Sequence, residues 1–188
     1  MTTFINADTV VGGAIVTADA SGELALQSAG TTALTATSGN LTVANKMTAV
    51  GTSSTAGLKI ADVLETATVS ATAATGTINY DVTTQVVLFY TSNASANWTV
   101  NFRGSSGTSL NTLMATGESV TAAFLVTQGA TAYYNSAVQI DGSSVTPKWQ
   151  GGTAPSAGNA SGVDAYTYTI IKTGSATFSV FAAQTRFA

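Results

Sequence analysis

The sequence contains no cysteine and no histidine, and only 8% of its 188 residues are charged. Without histidine, the Ser-His-Asp and Cys-His forms of nucleophilic catalysis lack their general base. Zinc sites of the usual ligands, haem, iron–sulfur clusters and disulfides lack their side chains as well. Nothing in the sequence sets two of the nine carboxylates in one site, as a glycosidase requires. We therefore expect a protein that is not an enzyme and has no catalytic residue, metal ion or cofactor.

Basic residues are also scarce: six Lys and Arg stand against nine Asp and Glu, for a net charge of −3. Such scattered bases cannot form a phosphate-neutralising stripe, so we expect no nucleic acid partner. The longest strongly apolar runs, Val86–Tyr90 and Ala122–Val126, are far shorter than the ~20 residues of a membrane-spanning helix. The first eight residues lack the basic and apolar regions of a signal peptide. We expect no membrane insertion and no secretory address.

A positive mean hydropathy accompanies this shortage of charge. Charge normally keeps a monomer soluble, so much of the surface is expected to be buried in an assembly. The composition therefore favours a chain that contacts copies of itself or other proteins.

The abundant Thr, Ser and Gly favour strands and turns over helices, which predicts an all-β fold. The N-terminal part contains a weak repeat of a Gly turn followed by an apolar-x-apolar strand. Its apolar pairs recur 17 positions apart, and one such unit cannot bury its own apolar face. The sequence thus predicts a repetitive β region over residues 1–65. Its oligomer or shaft core would consist of Leu24, Leu26, Leu41, Val43, Leu58 and Ile60.

Aromatic residues mark a second part of the chain, because only Phe4 of the two Trp, six Tyr and seven Phe precedes Tyr80. We expect residues 66–76 to be a linker or an edge strand, and 77–188 to form a β-sandwich of jelly-roll-like type. Short helices are expected at Ile60–Glu65 and Leu110–Ala115. The predicted strands are Thr77–Tyr90, Asn97–Arg103, Ser119–Thr127, Ala132–Ile140, Val145–Gln150, Asp164–Lys172 and Ala176–Phe187.

Several segments of this second part resemble a known module. They are residues 86–95 (VVLFYTSNAS), 97–104 (NWTVNFRG), 133–135 (YYN), 141–152 (DGSSVTPKWQGG) and 166–175 (YTYTIIKTGS). Together they resemble the C-terminal module of fibre-like virion proteins of marine tailed bacteriophages, cyanophages especially. The resemblance covers roughly residues 76–188. It implies a structural protein of a phage particle, of tail-fibre or head-fibre type, that assembles as a homotrimer.

These observations predict a short trimeric fibre on the outer surface of a virion. Its N-terminal region would attach to capsid, neck or tail proteins through Phe4 and Ile5, the only early bulky apolar pair. Its C-terminal β-domain would face outward. The alternative is a capsid decoration protein or head fibre, and an S-layer or adhesin subunit is less favoured because a signal peptide is lacking.

Contact with host surface glycans is a further hypothesis for the outer domain. Adjacent strand residues face opposite ways, so one of Tyr133 and Tyr134 would point away from the core. Trp98 and Trp149 are expected in the core, with stacking on a sugar as the alternative. The oxygen-bearing residues Asn93, Asp141, Asn159 and Asp164 are interpreted as turn residues rather than calcium ligands.

Overall fold

In the computed structural model, the described residues are three N-terminal strands, Met47 and residues 60–188. The chain divides into two compact units, Met1–Ala61 and Asp62–Ala188. Strands dominate the described part of both units. The helices among the described residues are a single α-helical turn and a single 3-10 turn. The all-β prediction is confirmed. None of the described helices has the length and apolar character needed to cross a membrane.

The N-terminal unit contains an antiparallel three-stranded sheet in the order β1 (Leu24–Ser28), β2 (Thr31–Thr37) and β3 (Asn40–Val43). The predicted pair of Leu24 and Leu26 lies on β1, and the pair of Leu41 and Val43 lies on β3. Strand β2, which the repeat does not predict, lies between them. Leu41 is 66% exposed in this unit.

The third copy of the repeat does not extend this sheet in the described residues. Ile60 lies outside any strand and is 54% exposed, and Leu58 lies outside the described residues. The repeat as a structural unit therefore stays a prediction.

The C-terminal unit is built from two sheets. The six-stranded sheet has the order β11-β13-β12-β8-β6-β4, and the four-stranded sheet has the order β10-β9-β7-β5. In chain order the elements are β4 (Ala67–Ala73), β5 (Gly76–Asp81), β6 (Val87–Ser92), β7 (Trp98–Arg103), α1 (Leu110–Leu113), β8 (Ser119–Thr127), β9 (Asn135–Ile140), β10 (Ser143–Val145), β11 (Lys148–Trp149), the 3-10 turn Gln150–Gly152, β12 (Val163–Gly174) and β13 (Thr177–Phe187).

From β4 to β9 the chain crosses to the other sheet after every strand. Each crossing reverses the chain direction, so the next strand in the same sheet runs parallel to the one before it. Parallel pairs therefore occur at β4/β6, β6/β8, β5/β7 and β7/β9, and β11/β13 adds a fifth. A jelly roll is built from antiparallel strands, so this sandwich of mixed sheets differs from it in connectivity.

Aromatic side chains from the two sheets meet in one core. Trp98 on β7 is 1% exposed and contacts Phe124 on β8 and Tyr166 on β12, with ring centroids 5.9 and 5.7 Å apart. Phe102 contacts Tyr168 across the same interface at 4.9 Å. Each such pair contributes about 0.5–1.5 kcal/mol beyond the area that it buries. The expected core position of Trp98 is therefore found, and these contacts hold the two sheets face to face.

The single turn of α1 links the two sheets at one end of the sandwich. The Asp141 carboxylate, after β9, accepts the N–H groups of Leu110 and Asn111 at 2.6 and 2.9 Å. The Lys172 ammonium, on β12, donates to the carbonyl oxygens of Asn111 and Met114 at 2.6 and 2.8 Å. Opposite charges thus stabilise the two ends of the helix, in the sense that its dipole favours.

The predicted strand Thr77–Tyr90 is wrong as one element, because β5 and β6 lie in different sheets. A turn separates them, and Gln85 is buried within it. The Gln85 amide accepts a hydrogen bond from Thr68 at 2.9 Å and donates to the Asp81 carbonyl at 3.1 Å. These bonds satisfy the buried amide and stabilise the break.

Residues 145–150 are likewise not one strand, since β10 and β11 belong to different sheets. Pro147 lies between them, and it has no backbone N–H to donate to a ladder. The expected helix Ile60–Glu65 is wrong as well, because these residues form no helix. Residues 66–76 contain the edge strand β4, which was one of the two expectations for that segment.

Candidate functional site

Four carboxylates of the C-terminal unit form bonds within the fold, those of Asp81, Glu118, Asp141 and Asp164. Asp141 binds the first amides of α1, and Asp81 forms an ion pair with Arg103 across β5 and β7. No group of three or more Asp and Glu that could hold a metal occurs among the described residues. Each of these acids is thus explained by a local role in the fold.

Asp164 is the most buried of these acids and lies in a polar network at the start of β12. Its Oδ2 accepts hydrogen bonds from the Gln128 amide at 2.9 Å and from the Asn159 backbone at 3.0 Å. The Gln128 amide also donates to the Tyr133 carbonyl at 2.7 Å and accepts from the Tyr133 N–H at 3.0 Å. This network fastens the loops before β9 and β12 to the end of β8.

The four oxygen-bearing turn residues behave differently from one another. Only Asp164 and Asn159 are brought together by a hydrogen bond, and the Asn159 side chain donates to the Phe187 carbonyl at 2.8 Å. Asp141 instead binds α1, and Asn93 lies against Gly129. Asn93, Asp141 and Asn159 lie outside the strands, whereas Asp164 lies on β12, so the interpretation as a turn residue is wrong for Asp164.

Tyr133 and Tyr134 precede β9 rather than lying on it, and both are partly buried. Tyr133 packs against the core. The Tyr134 N–H donates to the Asn97 side chain at 3.1 Å, and its carbonyl accepts from the Trp98 N–H at 3.3 Å. The alternation argument therefore does not apply to them, and their role in host contact stays a prediction. Phe4 and Ile5, the predicted attachment pair, lie outside the described residues.

The surface around Trp149 is a concave site that the sequence did not single out as a groove. Trp149 is among the residues that line three clefts, and together these clefts are called the Trp149 groove here. A cleft of about 240 Å³ lies beside Pro147 and Pro155, and a cleft of about 380 Å³ lies beside Gln150, Thr153, Pro155 and Gln184. A third, of about 350 Å³, contains Phe181 and Lys148 on the outer face of the sheet.

Two buried tyrosines support Trp149 from inside the sandwich. Its ring contacts Tyr166 and Tyr168 edge-on, with centroids 6.4 and 6.3 Å away. Tyr168 donates to the Asn135 side chain at 3.1 Å, and Tyr166 accepts from the Gln184 amide at 3.0 Å. Burial raises the pKa of both tyrosines well above its ordinary value, so both stay neutral. The floor of the groove is therefore fixed before any ligand arrives.

The local sequence explains the position of Trp149. Proline ends the preceding strand, and Trp149 then lies on β11, a two-residue strand at the edge of the six-stranded sheet. Gly151 and Gly152 follow with φ values of +77° and +78°, which L side chains rarely adopt. The Pro-Lys-Trp-Gln-Gly-Gly run was the available signal for this turn.

A second notable surface is the apolar start of the C-terminal unit. Val63 is 58% exposed, Leu64 is fully exposed, and Val69 on β4 is 66% exposed. Strand β4 is an edge strand that pairs only with β6 among the described strands. This apolar lead segment, residues 62–69, thus presents large aliphatic side chains beside an open strand edge.

Comparison with known proteins finds no match: no family model, no curated protein and no solved structure matches this chain.

Proposed function

We propose that this chain is a non-enzymatic structural protein of a bacteriophage virion. It forms a short homotrimeric fibre whose N-terminal region attaches to the particle and whose C-terminal sandwich faces outward. The observation that carries the proposal is the apolar lead segment, which a monomer would leave in water. The resemblance of residues 76–188 to fibre-like virion proteins supplies the biological setting.

Self-association is the physical core of this proposal. Exposed apolar patches on soluble proteins mark contacts, and Val63, Leu64 and Val69 lie within seven residues of one another. The same segment of each copy meets its equivalents around a symmetry axis, so one surface serves every protomer. Only 8% of the residues are charged, and the two acids within this segment, Asp62 and Glu65, are exposed, so their carboxylates stay in water at the rim of the contact.

The mass of the protein in solution tests this assembly. Light scattering on the purified chain should give about three times the protomer mass of 18.8 kDa. A monomer that remains stable at micromolar concentration would contradict the proposal.

Attachment through the N-terminal region is tested separately. Deletion of Met1–Ala20 should leave a folded oligomer that no longer incorporates into particles. Replacement of Phe4 and Ile5 by Ser should weaken incorporation in the same direction, because it removes the apolar pair. If the truncated chain still assembles while changes at C-terminal loops abolish assembly, the polarity of the fibre is reversed.

The alternative within the same class is a capsid decoration protein. A decoration protein would also be a structural protein on the outer surface of the virion, but it would be attached to the capsid rather than to the tail. Label confined to the head would favour it over a tail fibre.

A further inference from the structure

We propose that the Trp149 groove binds a neutral saccharide, with one sugar ring stacked on the indole. The role of this saccharide as a host ligand rests on the proposed function, because it requires a domain that faces outward. The binding of the saccharide does not depend on that function. The site lies on β11 and the following turn, and its cleft beside Pro147 reaches Asn135, which directly follows the tyrosine pair that the sequence singled out for host contact.

Trp149 provides an aromatic platform beside the clefts. Trp149 is partly exposed and lines all three clefts, while Tyr166 and Tyr168 hold its ring edge-on. The apolar C–H face of a sugar ring packs on such a surface, and a fixed aromatic ring loses little conformational freedom on binding. Pro147 and Pro155 extend the rigid apolar wall on one side of the indole.

Polar side chains beside Trp149 have hydrogen-bonding groups without a partner among the described residues. Gln150 is exposed and its amide has no hydrogen-bond partner among the described residues. Gln184 donates its amide N–H groups to the Ala157 carbonyl at 3.1 Å and to Tyr166, and its Oε1 has no hydrogen-bond partner among the described residues. Gln184 also lines the cleft that contains Gln150 and Thr153. Together with the exposed hydroxyl of Thr153, these groups can donate to and accept from sugar hydroxyls.

Charge identifies the class of sugar. The two clefts that share Trp149 and Pro155 are lined by no charged side chain, so an acidic sugar or a phosphate would be buried without a counter-ion. Lys148 belongs to the outer cleft, where its ammonium lies 5.2 Å from the centre of the Phe181 ring. A neutral saccharide longer than one ring fits a groove made of adjoining clefts of about 240 and 380 Å³.

Tryptophan fluorescence of the full chain gives a direct test. The protein has two tryptophans, and Trp98 is 1% exposed, so acrylamide quenches mainly Trp149. The probes are maltohexaose, cellohexaose, mannohexaose and galactohexaose, with oligogalacturonate as the acidic comparison and hexaproline as the peptide comparison. We expect at least one neutral hexasaccharide to reduce quenching at concentrations up to about 10 mM, the range of weak single-site binding.

Matched variants locate the binding. Gln150→Ala should weaken binding of that saccharide about threefold to tenfold, the effect of one lost hydrogen bond. Gln139→Ala on β9 is the control, because Gln139 lines none of the clefts around Trp149 and its loss should leave the affinity unchanged. Trp149→Phe should remove the fluorescence response while circular dichroism stays that of the parent chain.

Three results would overturn the proposal: no neutral probe protects Trp149, oligogalacturonate or hexaproline protects it in their place, or Gln150→Ala and Gln139→Ala bind equally well. Saccharide binding by a chain that is absent from particles would leave this inference standing and refute the proposed function. A particle protein that binds no saccharide would do the reverse.

Discussion

Replacement of Val63 and Leu64 by Ser perturbs the surface on which the proposed trimer depends. Val63 is 58% exposed and Leu64 fully exposed, so neither side chain contributes much to the folding of one protomer. Full burial of such a side chain stabilises an assembly by about 1.5–3 kcal/mol. Interface burial is incomplete, and about half of that gain gives about 1.5–3 kcal/mol per protomer for the pair. This corresponds to a roughly 10- to 140-fold weaker association for each protomer.

Light scattering over a dilution series measures the change, and circular dichroism checks that the sandwich is intact. Leu113→Ser is the matched control, because Leu113 is 41% exposed on α1 and lies outside the apolar lead segment. The double variant should dissociate at concentrations at which the parent and the control remain trimeric. If the double variant keeps the parental mass at every dilution, or if the control dissociates equally, the lead segment is not the interface.

Three further predictions concern the stability of the sandwich. Asp141→Ala removes the carboxylate that accepts two N–H groups of α1, so it should lower the free energy of unfolding in urea by about 2–4 kcal/mol. Asp141→Asn should cause a smaller loss, and equal losses for the two variants would contradict a charge-assisted cap. Gly158→Ala places a Cβ 2.2 Å from the Tyr133 carbonyl oxygen, so it should lower the free energy of unfolding by about 1–3 kcal/mol or more. Gly107→Ala is the control, because no atom lies within 4 Å of its new Cβ and its loss of stability should be far smaller. Burial raises the pKa of Tyr80 to about 12, above the ordinary value of about 10, and raises the pKa values of Tyr166 and Tyr168 as well, so stability should be complete below pH 10 and fall as pH rises toward 12. Urea unfolding at several pH values checks this, and constant stability from pH 9 to 11 would refute it.

Strands with regular alternation and a local partner were predictable from the sequence. The expected strand Ser119–Thr127 matches β8, and the expected strands Asp164–Lys172 and Ala176–Phe187 correspond to β12 and β13. Tyr166, Tyr168 and Ile170 share the buried face of β12, in keeping with the period of two of a strand.

The alternation of strands between the two sheets was not predictable in the same way. It depends on pairings between strands distant in sequence, for which hydrophobic period carries no signal. The segment 82–86 shows the consequence, since its β-branched residues continue the apparent strand while the turn depends on the bonds of buried Gln85. Long-range context decided the structure there against local propensity.

The candidate site likewise has features that the sequence predicts and features that depend on contacts between distant strands. The turn residues around Trp149 were visible in the sequence, and the sugar-stacking alternative follows from its residue type. The position of the ring depends on its contacts with Tyr166 and Tyr168 on β12, a strand that β13 separates from β11. The groove therefore becomes apparent only once the sheets are assembled.

Labelling of intact phage particles with an antibody against the C-terminal sandwich tests whether this chain is a structural component of the virion. We predict label on the outside of purified particles, at the tail, neck or head. We also predict that deletion of Met1–Ala20 removes the label while the oligomer stays folded. Purified particles that carry neither label nor this polypeptide would contradict the claim that the chain is a structural component of the virion.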